Sequence, residues 1–326
     1  MASSLTHAYF IMDVYDRLSV RSKELLVYKK ELLKVSAQSM DVLFFYNLTN
    51  FKKGKKVRDF GTYFHNHKTY DFFETLINYI KYNHFQYDSD VMAFLYGLIS
   101  HYILDSNMHP YIIYRTGEFD KNDKSTYKYN QLHGEVESFF DDYMVTIREG
   151  ILSYHFPCHQ FCFNLPKLGD GLIEVMDFTY KEVFGIPSFH EYYIKSVSQM
   201  KFFFRIFRYD PIGVKKAFFS IIDFLCPRSL LRKAPLSYHM KLRKYESYLN
   251  LEHKPWYNPV DKRTKSTKSL LEIYTGSLNQ TVEVIHQLNQ YFYYDKKINL
   301  KKLIGNKSYT TGRDCSKNNH FKFFEF

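Results

Sequence analysis

The stretch Phe94–Pro110 reads FLYGLISHYILDSNMHP, an apolar run that is interrupted by His101, Asp105 and His109. These three residues follow one another at intervals of four, so on an α-helix their side chains share one face. An unpaired buried carboxylate is very costly, and a basic partner or a metal ion is the usual compensation. Because the stretch contains no Lys or Arg, it predicts a buried helix whose acid and histidines face a metal ion.

The remainder of the chain shows the same helical spacing. Apolar residues recur mostly three or four positions apart, and no run of clean two-residue alternation marks a set of strands. The sequence therefore predicts an all-α fold, a multi-helical bundle with a helical C-terminal extension. We expect helices over 5–18, 22–35, 70–82, 90–108, 131–148, 171–184, 188–207, 211–225 and 270–293, the fourth of them stopped by Pro110. Connections are expected at 115–130, 153–171 and 254–269.

Length and composition restrict the class of protein. The chain has 326 residues, of which 45% are apolar and 24% charged, which is typical of a globular protein with a sizeable core. Its four cysteines are too few and too irregularly placed for a disulfide framework, which favours a reducing compartment. Small disulfide scaffolds and disordered chains are excluded.

The charge is distributed unevenly, and it divides the chain into two parts. Residues 1–150 contain 18 Lys and Arg against 19 Asp and Glu, a net charge of −1, whereas residues 151–326 contain 27 against 15, a net charge of +12. We therefore expect two halves, 1–150, which contains the predicted metal-binding residues, and 151–326, which is basic, aromatic-rich and helical. Residues 201–245 contain 11 basic and 2 acidic residues among large apolar ones, a composition that suits an anionic membrane surface or a nucleic acid.

The sequence predicts a cytoplasmic protein, either soluble or peripheral to a membrane. The first residues lack the basic start, apolar stretch and small-residue cleavage site of a secretory signal. The longest apolar stretch, 91–113, is interrupted by polar residues and would make a poor membrane span.

Pairs of a histidine and an acid four residues apart occur four times. They are His67/Asp71, His84/Asp88, His101/Asp105 and His133/Glu137. The second lies in a polar link and is interpreted as a surface pair, whereas the fourth opens an amphipathic helix and both of its side chains share a face. Two helices that each offer a histidine and a carboxylate, with His109 as a further ligand, match the ligand set that Zn²⁺ prefers.

The order of the elements in the first half of the chain resembles that of the zinc-dependent phospholipase C family, which belongs with the S1/P1-type nucleases. The resemblance covers about residues 5–145. The matching elements are Thr6-His7-xx-Phe10, Ser39-Met40-Asp41-xxx-Phe45-Tyr46, Gly61-xxx-His65-xxxxxx-Phe72-Phe73, Tyr96-Gly97-xxx-His101-xxx-Asp105-xxx-His109-Pro110 and His133-xxx-Glu137. The resemblance implies an all-α fold around zinc ions and hydrolysis of a phosphodiester, with phospholipid as the leading substrate.

The resemblance also implies which residues bind the ions. One zinc would be held by Asp41, His65, His101 and Asp105, a second by His109, His133 and Glu137, and a third by His7 with a shared Asp105. Two ions are thus expected, and a third only if His7 and Asp105 suffice for it. Asp41 would bind metal or act as general base toward the attacking water. His67 competes with His65, and we prefer His65 because its distance to Phe72-Phe73 fits the family pattern.

Three alternatives remain open at this point. A single-strand-specific nuclease would use the same metal centre with aromatic stacking and a basic groove, and a non-catalytic scaffold would use the metal only to hold helices together. Residues 155–162 (HFPCHQFC) contain two His and two Cys that could form another zinc site, although buried-thiol packing is the preferred interpretation. In the second half only Trp256-Tyr257-Asn258-Pro259 and Ser308-Tyr309-Thr310-Thr311-Gly312 stand out as motifs, without an assigned role.

Overall fold

The structure, a computed structural model, describes residues 4–48, 50–119, 123–225, 246–317 and 320–324, and most of them are helical. The helices are α1 (Ser4–Arg17), α2 (Val20–Leu26), α3 (Lys30–Ser36), α4 (Phe51–Phe64), α5 (Thr69–Tyr82), α6 (Ser89–Thr116), α7 (Tyr127–Glu149), α8 (Cys158–Phe163), α9 (Asp170–Phe184), α10 (Phe189–Phe207), α11 (Val214–Leu225), α12 (Leu270–Tyr294) and α13 (Leu300–Ile304). A 3₁₀ segment spans Ser39–Phe45. Two short antiparallel strands, β1 (Trp256–Tyr257) and β2 (Lys265–Ser266), pair Trp256 with Ser266. The prediction of an all-α fold is confirmed.

Helix α6 occupies the centre of the molecule, where it contacts α1, α3, α7 and α12. Nearly all of its side chains are buried, so the helix is stabilised by neighbours on all sides. Gly97 allows the end of α3 to approach closely, because a Cβ at this position would lie 2.4 Å from the Cβ of Ser36. This contact places the turn after α3 beside His101, one helical turn further along α6.

The prediction that Pro110 stops this helix is wrong. Helix α6 continues to Thr116 and ends where Gly117 adopts a positive φ of 85°. Pro110 has no N–H to donate to the carbonyl oxygen of Ser106, so the helix loses one hydrogen bond. The packing of α6 against its neighbours outweighs this loss. Gly312 lies against this carbonyl, and a Cβ there would be 2.4 Å from the oxygen.

Several smaller predictions also need correction. The helix expected at 22–35 is two helices, α2 and α3, and α2 begins after Ser19, whose hydroxyl accepts the N–H of Ser22. Helix α7 begins within the loop expected at 115–130, α8 lies within the connection 153–171, and the strand pair lies within the loop 254–269. Helices α4 and α13 were not anticipated, because the lysines in both segments obscure the apolar period.

The basic stretch 201–245 is only partly described. Its residues 201–225 contribute to α10 and α11, and residues 226–245 lie outside the described part of the chain. None of the helices in the described ranges combines the length and the apolar character that a membrane span requires.

Candidate metal centre

The eight residues singled out from the sequence come from five different segments of the chain and lie together. Seven of the ligand-bearing positions lie on or at the end of helices, and one lies on the 3₁₀ segment. They are His7 on α1, Asp41 on Ser39–Phe45, His65 at the end of α4, His101, Asp105 and His109 on α6, and His133 and Glu137 on α7. Their donor atoms form three groups within which all atoms are at most 4.8 Å apart: His7/His101/Asp105, Asp41/His65/His101 and His109/His133/Glu137.

Asp105 occupies the centre of the cluster. Its Oδ1 lies 3.1 Å from Nε2 of His7, and its Oδ2 lies 3.0 Å from Nε2 of His101 and 3.6 Å from Nδ1 of His109. The rings of His7 and His101 stack with their centroids 4.2 Å apart. One carboxylate therefore faces three imidazoles, as expected for an acid that is shared between two metal ions.

His65 and Asp41 form the second group with His101. Nε2 of His65 lies 3.0 Å from Oδ1 of Asp41, and the rings of His65 and His101 meet edge to face at 5.9 Å. All three side chains are buried. His67, the alternative to His65, is exposed and stacks on Tyr63 instead.

His109, His133 and Glu137 form the third group at the border with solvent. Nε2 of His133 lies 3.0 Å from Oε1 of Glu137, and Nε2 of His109 lies 3.4 Å from the same oxygen. The side chains of His109 and His133 are 13% and 19% exposed, whereas that of His101 is 0% exposed. These two histidines are therefore the most exposed side chains of the cluster.

Backbone carbonyls orient three of the histidines. Nδ1 of His65 lies 2.6 Å from the carbonyl oxygen of Gly61, Nδ1 of His101 lies 2.9 Å from that of Ala37, and Nδ1 of His109 lies 3.0 Å from that of Tyr309. When Nδ1–H donates to a carbonyl, the neutral ring presents the lone pair of Nε2, which is the usual arrangement of a metal-binding histidine.

This orientation indicates a cation in the cluster. A neutral Nε2 and a carboxylate oxygen both carry lone pairs, so two of them 3.0 Å apart repel each other unless a proton or a metal ion lies between them. Within the described residues, Nε2 of His65, Nε2 of His101 and Oδ2 of Asp105 are buried and make no hydrogen bond of acceptable geometry. Imidazole nitrogen and carboxylate oxygen are ligands that Zn²⁺ prefers, so the donor set fits this ion.

The pKa values show how strongly these groups interact. Burial opposes ionisation of Asp105, but the neighbouring charges of His101, His109 and His7 outweigh burial and hold the pKa of this carboxyl well below its usual range. Burial would lower the pKa of His109, yet Asp105 and Glu137 raise it to about 9. Burial and the adjacent His101 lower the pKa of His7. The acids thus stay ionised, as metal ligands must be.

The other histidines that were considered lie apart from the cluster. His84 is exposed at the start of a turn with a positive φ of 61°. Cys158 and Cys162 are buried in the hydrophobic core, and burial raises the pKa of the Cys158 thiol to about 12. His155 is exposed, and none of the metal-binding groups found among the described residues includes residues 155–162. These placements agree with thiol packing.

Asp141 positions the helix that carries His7, a role that the sequence did not reveal. Its carboxylate accepts the backbone N–H of Leu5 at 3.3 Å, and the backbone N–H and the hydroxyl of Thr6 at 2.8 and 2.9 Å. These contacts satisfy free N–H groups in the first turn of α1. In the sequence, this role was indicated only by the position of Asp141 four residues after Glu137 on the same helix. Acids at this spacing are too common to predict such a contact.

Asp142 beside it should limit stability at neutral pH. Its side chain is buried, and burial together with the Asp141 carboxylate raises its pKa well above the usual value. The folded protein therefore retains a proton that the unfolded chain releases near pH 4, so this carboxyl destabilises the fold as the pH rises from 4 toward 7. Asp142→Asn should increase the free energy of unfolding by about 1 kcal/mol or more at pH 7 and by much less at pH 4, since one pKa unit corresponds to about 1.4 kcal/mol.

Denaturant unfolding of the unaltered protein and of Asp142→Asn at pH 4 and pH 7 measures the change in the free energy of unfolding. Asp16→Asn, at an exposed position, is the control and should change stability little at either pH. An equal effect of Asp142→Asn at pH 4 and pH 7 would contradict the raised pKa.

Comparison with known proteins gives one match. Residues 6–165 match the family model described as zinc dependent phospholipase C, and this range contains all eight residues of the cluster. Searches of curated proteins and of solved structures found no significant match. An all-α fold, a cluster of five histidines and three acids that fits zinc, and the family match over the same residues agree. Residues 6–165 of this chain, about half of its length, are thus similar to the zinc-dependent phospholipase C family.

Proposed function

We propose that the protein is a zinc-dependent phosphodiester hydrolase that cleaves phospholipids between glycerol and phosphate and releases diacylglycerol and a phosphorylated headgroup. The observation that carries the proposal is the meeting of His65/Asp41/His101, His7/Asp105 and His109/His133/Glu137 within the segment that matches the family. Its residues 1–150 would provide the metal centre, and residues 151–326 would pack on it.

The ligand roles follow from the three groups. Asp41, His65, His101 and Asp105 would hold one ion, and His109, His133 and Glu137 a second, with His7 and the shared Asp105 available for a third. When bound, divalent ions in such a centre act as Lewis acids on a phosphodiester and activate water near neutral pH. The three carboxylates supply fewer negative charges than two divalent ions bring, so the centre retains positive charge for an anionic substrate.

We assign to Asp41 the role of general base toward the attacking water. Burial alone would raise its pKa, but the interactions with His65 and His101 outweigh burial and lower it. The carboxylate is therefore ionised at neutral pH and able to accept a proton or a hydrogen bond from water. Oδ1 of this carboxylate lies 3.0 Å from Nε2 of His65, so both side chains would face the same metal ion.

The three ligands of the third group and the partial exposure of its histidines support a catalytic role over a purely structural one. A structural zinc site is closed by four protein ligands, whereas a catalytic site keeps a position open. His109, His133 and Glu137 provide three ligands, and both histidines are partly exposed. A substrate phosphate could therefore reach this side of the cluster.

The charges around the cluster favour lipid over nucleic acid. Residues 1–150, which contain the whole cluster, have 18 Lys and Arg against 19 Asp and Glu, a net charge of −1. A nuclease would need Lys or Arg along the cleft to neutralise the phosphates on either side of the cleaved one.

Helix α11 supplies an apolar surface that suits the docking of the enzyme on an anionic bilayer. Val214, Phe218, Ile221 and Leu225 recur at helical spacing on one face, and each is at least 58% exposed. Lys215 and Lys216 lie beside them on the same helix. An apolar face flanked by lysines is typical of helices that lie in the headgroup region of anionic membranes.

Phe218→Glu should weaken binding to anionic vesicles by about tenfold or more, because transfer of a Phe side chain from water contributes about 1.5–3 kcal/mol. Val20→Glu is the control, since Val20 is an exposed apolar residue on another helix, α2. Vesicle co-sedimentation measures both, and hydrolysis of a short-chain soluble phospholipid should be the same in the two variants. Equal vesicle binding of the two variants would exclude α11 as the docking surface.

The function itself is tested with purified protein on phosphatidylcholine and on other phospholipids, with and without chelator, by detecting diacylglycerol and the phosphorylated headgroup. Metal-dependent release of both products is expected, and turnover that resists the chelator would refute the proposal. A parallel assay on single-stranded DNA separates the nuclease alternative, which predicts hydrolysis of DNA and no diacylglycerol. A protein that contains zinc but hydrolyses neither substrate would instead be a metal-stabilised scaffold.

A further inference from the structure

The segment Ser308–Gly312 reaches the metal cluster from a part of the chain far beyond the family match. Tyr309 at its centre is fully buried, with 0% of its surface exposed. Its backbone N–H donates to the carbonyl oxygen of His65 at 2.9 Å, and its own carbonyl oxygen accepts a hydrogen bond from Nδ1 of His109 at 3.0 Å. One residue thus contacts both the group of Asp41 and the group of Glu137.

The ring of Tyr309 fills the space behind the histidines. Its centroid lies 5.0 Å from the ring of His65, 5.8 Å from that of His101 and 5.0 Å from that of Tyr102. The hydroxyl is buried and has no hydrogen-bond partner among the described residues, so the ring acts through its shape.

The segment is held in this position by two motifs that had no assigned role. The hydroxyl of Ser308 accepts the N–H groups of Thr310 and Thr311 at 3.1 and 3.0 Å and donates to the side chain of Asn66 at 2.8 Å. The amide of Asn258, from the Trp256–Pro259 motif, donates to the carbonyl oxygen of Thr311 at 3.0 Å. Two distant parts of the C-terminal half therefore lock the same turn.

Gly312 ends the turn at a point where only glycine fits. Its φ is +64°, and a Cβ would lie 2.4 Å from the carbonyl oxygen of Ser106 on α6. This is the carbonyl to which Pro110 cannot donate, so the close approach uses a gap in the hydrogen bonding of the helix. The turn therefore sits against α6 between Asp105 and His109.

We propose that Tyr309 is a positioning residue of the metal centre, so that the C-terminal half completes a site whose ligands all come from the first half. His65 and His101 receive their orienting carbonyls from Gly61 and Ala37, within residues 6–165. His109 receives its carbonyl from Tyr309, and this contact directs Nε2 of His109 toward Glu137. Partners of this kind set the tautomer and direction of a ligand, and their loss costs about 10–100-fold in metal affinity.

The test compares Tyr309→Ala with Tyr309→Phe, and it measures zinc affinity by competition with a chelator at a temperature where both variants are folded. Tyr309→Ala empties the space behind His65 and His101 and frees the turn to move, so one zinc ion should bind about 10–100-fold more weakly. Tyr309→Phe keeps the shape of the ring and removes only a hydroxyl that bonds to no described residue, so its affinity should match that of the unaltered protein.

A second variant and a control separate positioning from loss of stability. Gly312→Ala should displace the turn from α6 and weaken zinc binding like Tyr309→Ala, whereas Gly276→Ala, where a Cβ would meet nothing within 4 Å, should not. Leu288→Ala, in the core on α12, should lower the melting temperature and leave zinc affinity unchanged. Cobalt in place of zinc gives an absorption spectrum that should change in Tyr309→Ala and Gly312→Ala alone.

The inference rests on the proposed metal centre. The zinc content of the unaltered protein distinguishes a failure of the metal assignment from a failure of the role of Tyr309. An unaltered protein without bound zinc would refute the metal assignment and the inference together. If the unaltered protein binds zinc and both Tyr309→Ala and Gly312→Ala bind it with the same affinity, the metal centre stands and the role of Tyr309 is overturned. A loss of affinity in Leu288→Ala as large as that in Tyr309→Ala would also overturn it.

Discussion

Asp105→Asn should abolish phosphodiester hydrolysis, with a loss of about 10³-fold or more, and should release at least one zinc ion. The substitution keeps the size of the side chain and removes the charge that faces His7, His101 and His109. A metal centre contributes several kcal/mol to stabilising the transition state, and 4 kcal/mol corresponds to about 10³-fold in rate. Because Asp105 is shared between groups, its loss should disturb more than one ion, which elemental analysis of the purified variant would show.

Asp177→Asn is the matched control for this experiment. Asp177 also pairs with a histidine, His190, at 2.7 Å, but the pair is partly exposed and lies outside the cluster. This variant should retain both zinc and activity, since an exposed ion pair contributes little. An Asp105→Asn variant that keeps the full zinc content and full activity would exclude Asp105 as a ligand. His101→Ala should likewise lose at least one equivalent of metal, because His101 belongs to two of the three groups.

Removal of metal should lower the melting temperature substantially. A ligand that binds only the folded protein stabilises it by about 2.7 kcal/mol at 100 times its dissociation constant, so two ions contribute about 5 kcal/mol under such conditions. For a chain of this size that corresponds to a shift of roughly 10 °C. The physical reason is that Asp41, Asp105 and Glu137 are buried together and lose the cations that compensate their charge.

The melting temperature is measured with and without chelator and again after zinc is restored. Restoring zinc should return the melting temperature to its starting value, which separates metal loss from irreversible damage. In Asp105→Asn the chelator should have a smaller effect, because part of the metal is already absent. A chelator that leaves the unaltered protein unchanged in both stability and activity would contradict the metal centre.

Part of the site could be predicted because it depends only on local geometry. His101, Asp105 and His109 share a face whenever residues 89–116 are helical, and the same holds for His133 and Glu137 on α7. The apolar character of the first stretch predicted its burial correctly, and the structure places it at the centre of the bundle. The placement of His7, Asp41 and His65 beside these residues was expected only through the family resemblance, because periodicity along one helix says nothing about which other segments approach it.

Other features depended on packing that no local pattern reports. Pro110 was expected to end α6, yet burial on all sides and the approach of Gly312 allow the helix to continue to Thr116. The lysines of α4 concealed a helix whose end carries His65. In both cases the contacts made in the folded protein outweighed the local preference of the residues.

By itself the sequence determined that this protein is helical and that two of its helices each carry a histidine and an acid on one face, because the period of the α-helix links side chains three and four residues apart. Only the tertiary structure decided that five segments bring eight such groups within reach of one another and that Tyr309, from the far end of the chain, orients His109. These contacts join residues separated by tens to hundreds of positions. They arise from the packing of helices around α6, which is a property of the whole core and not of any short stretch.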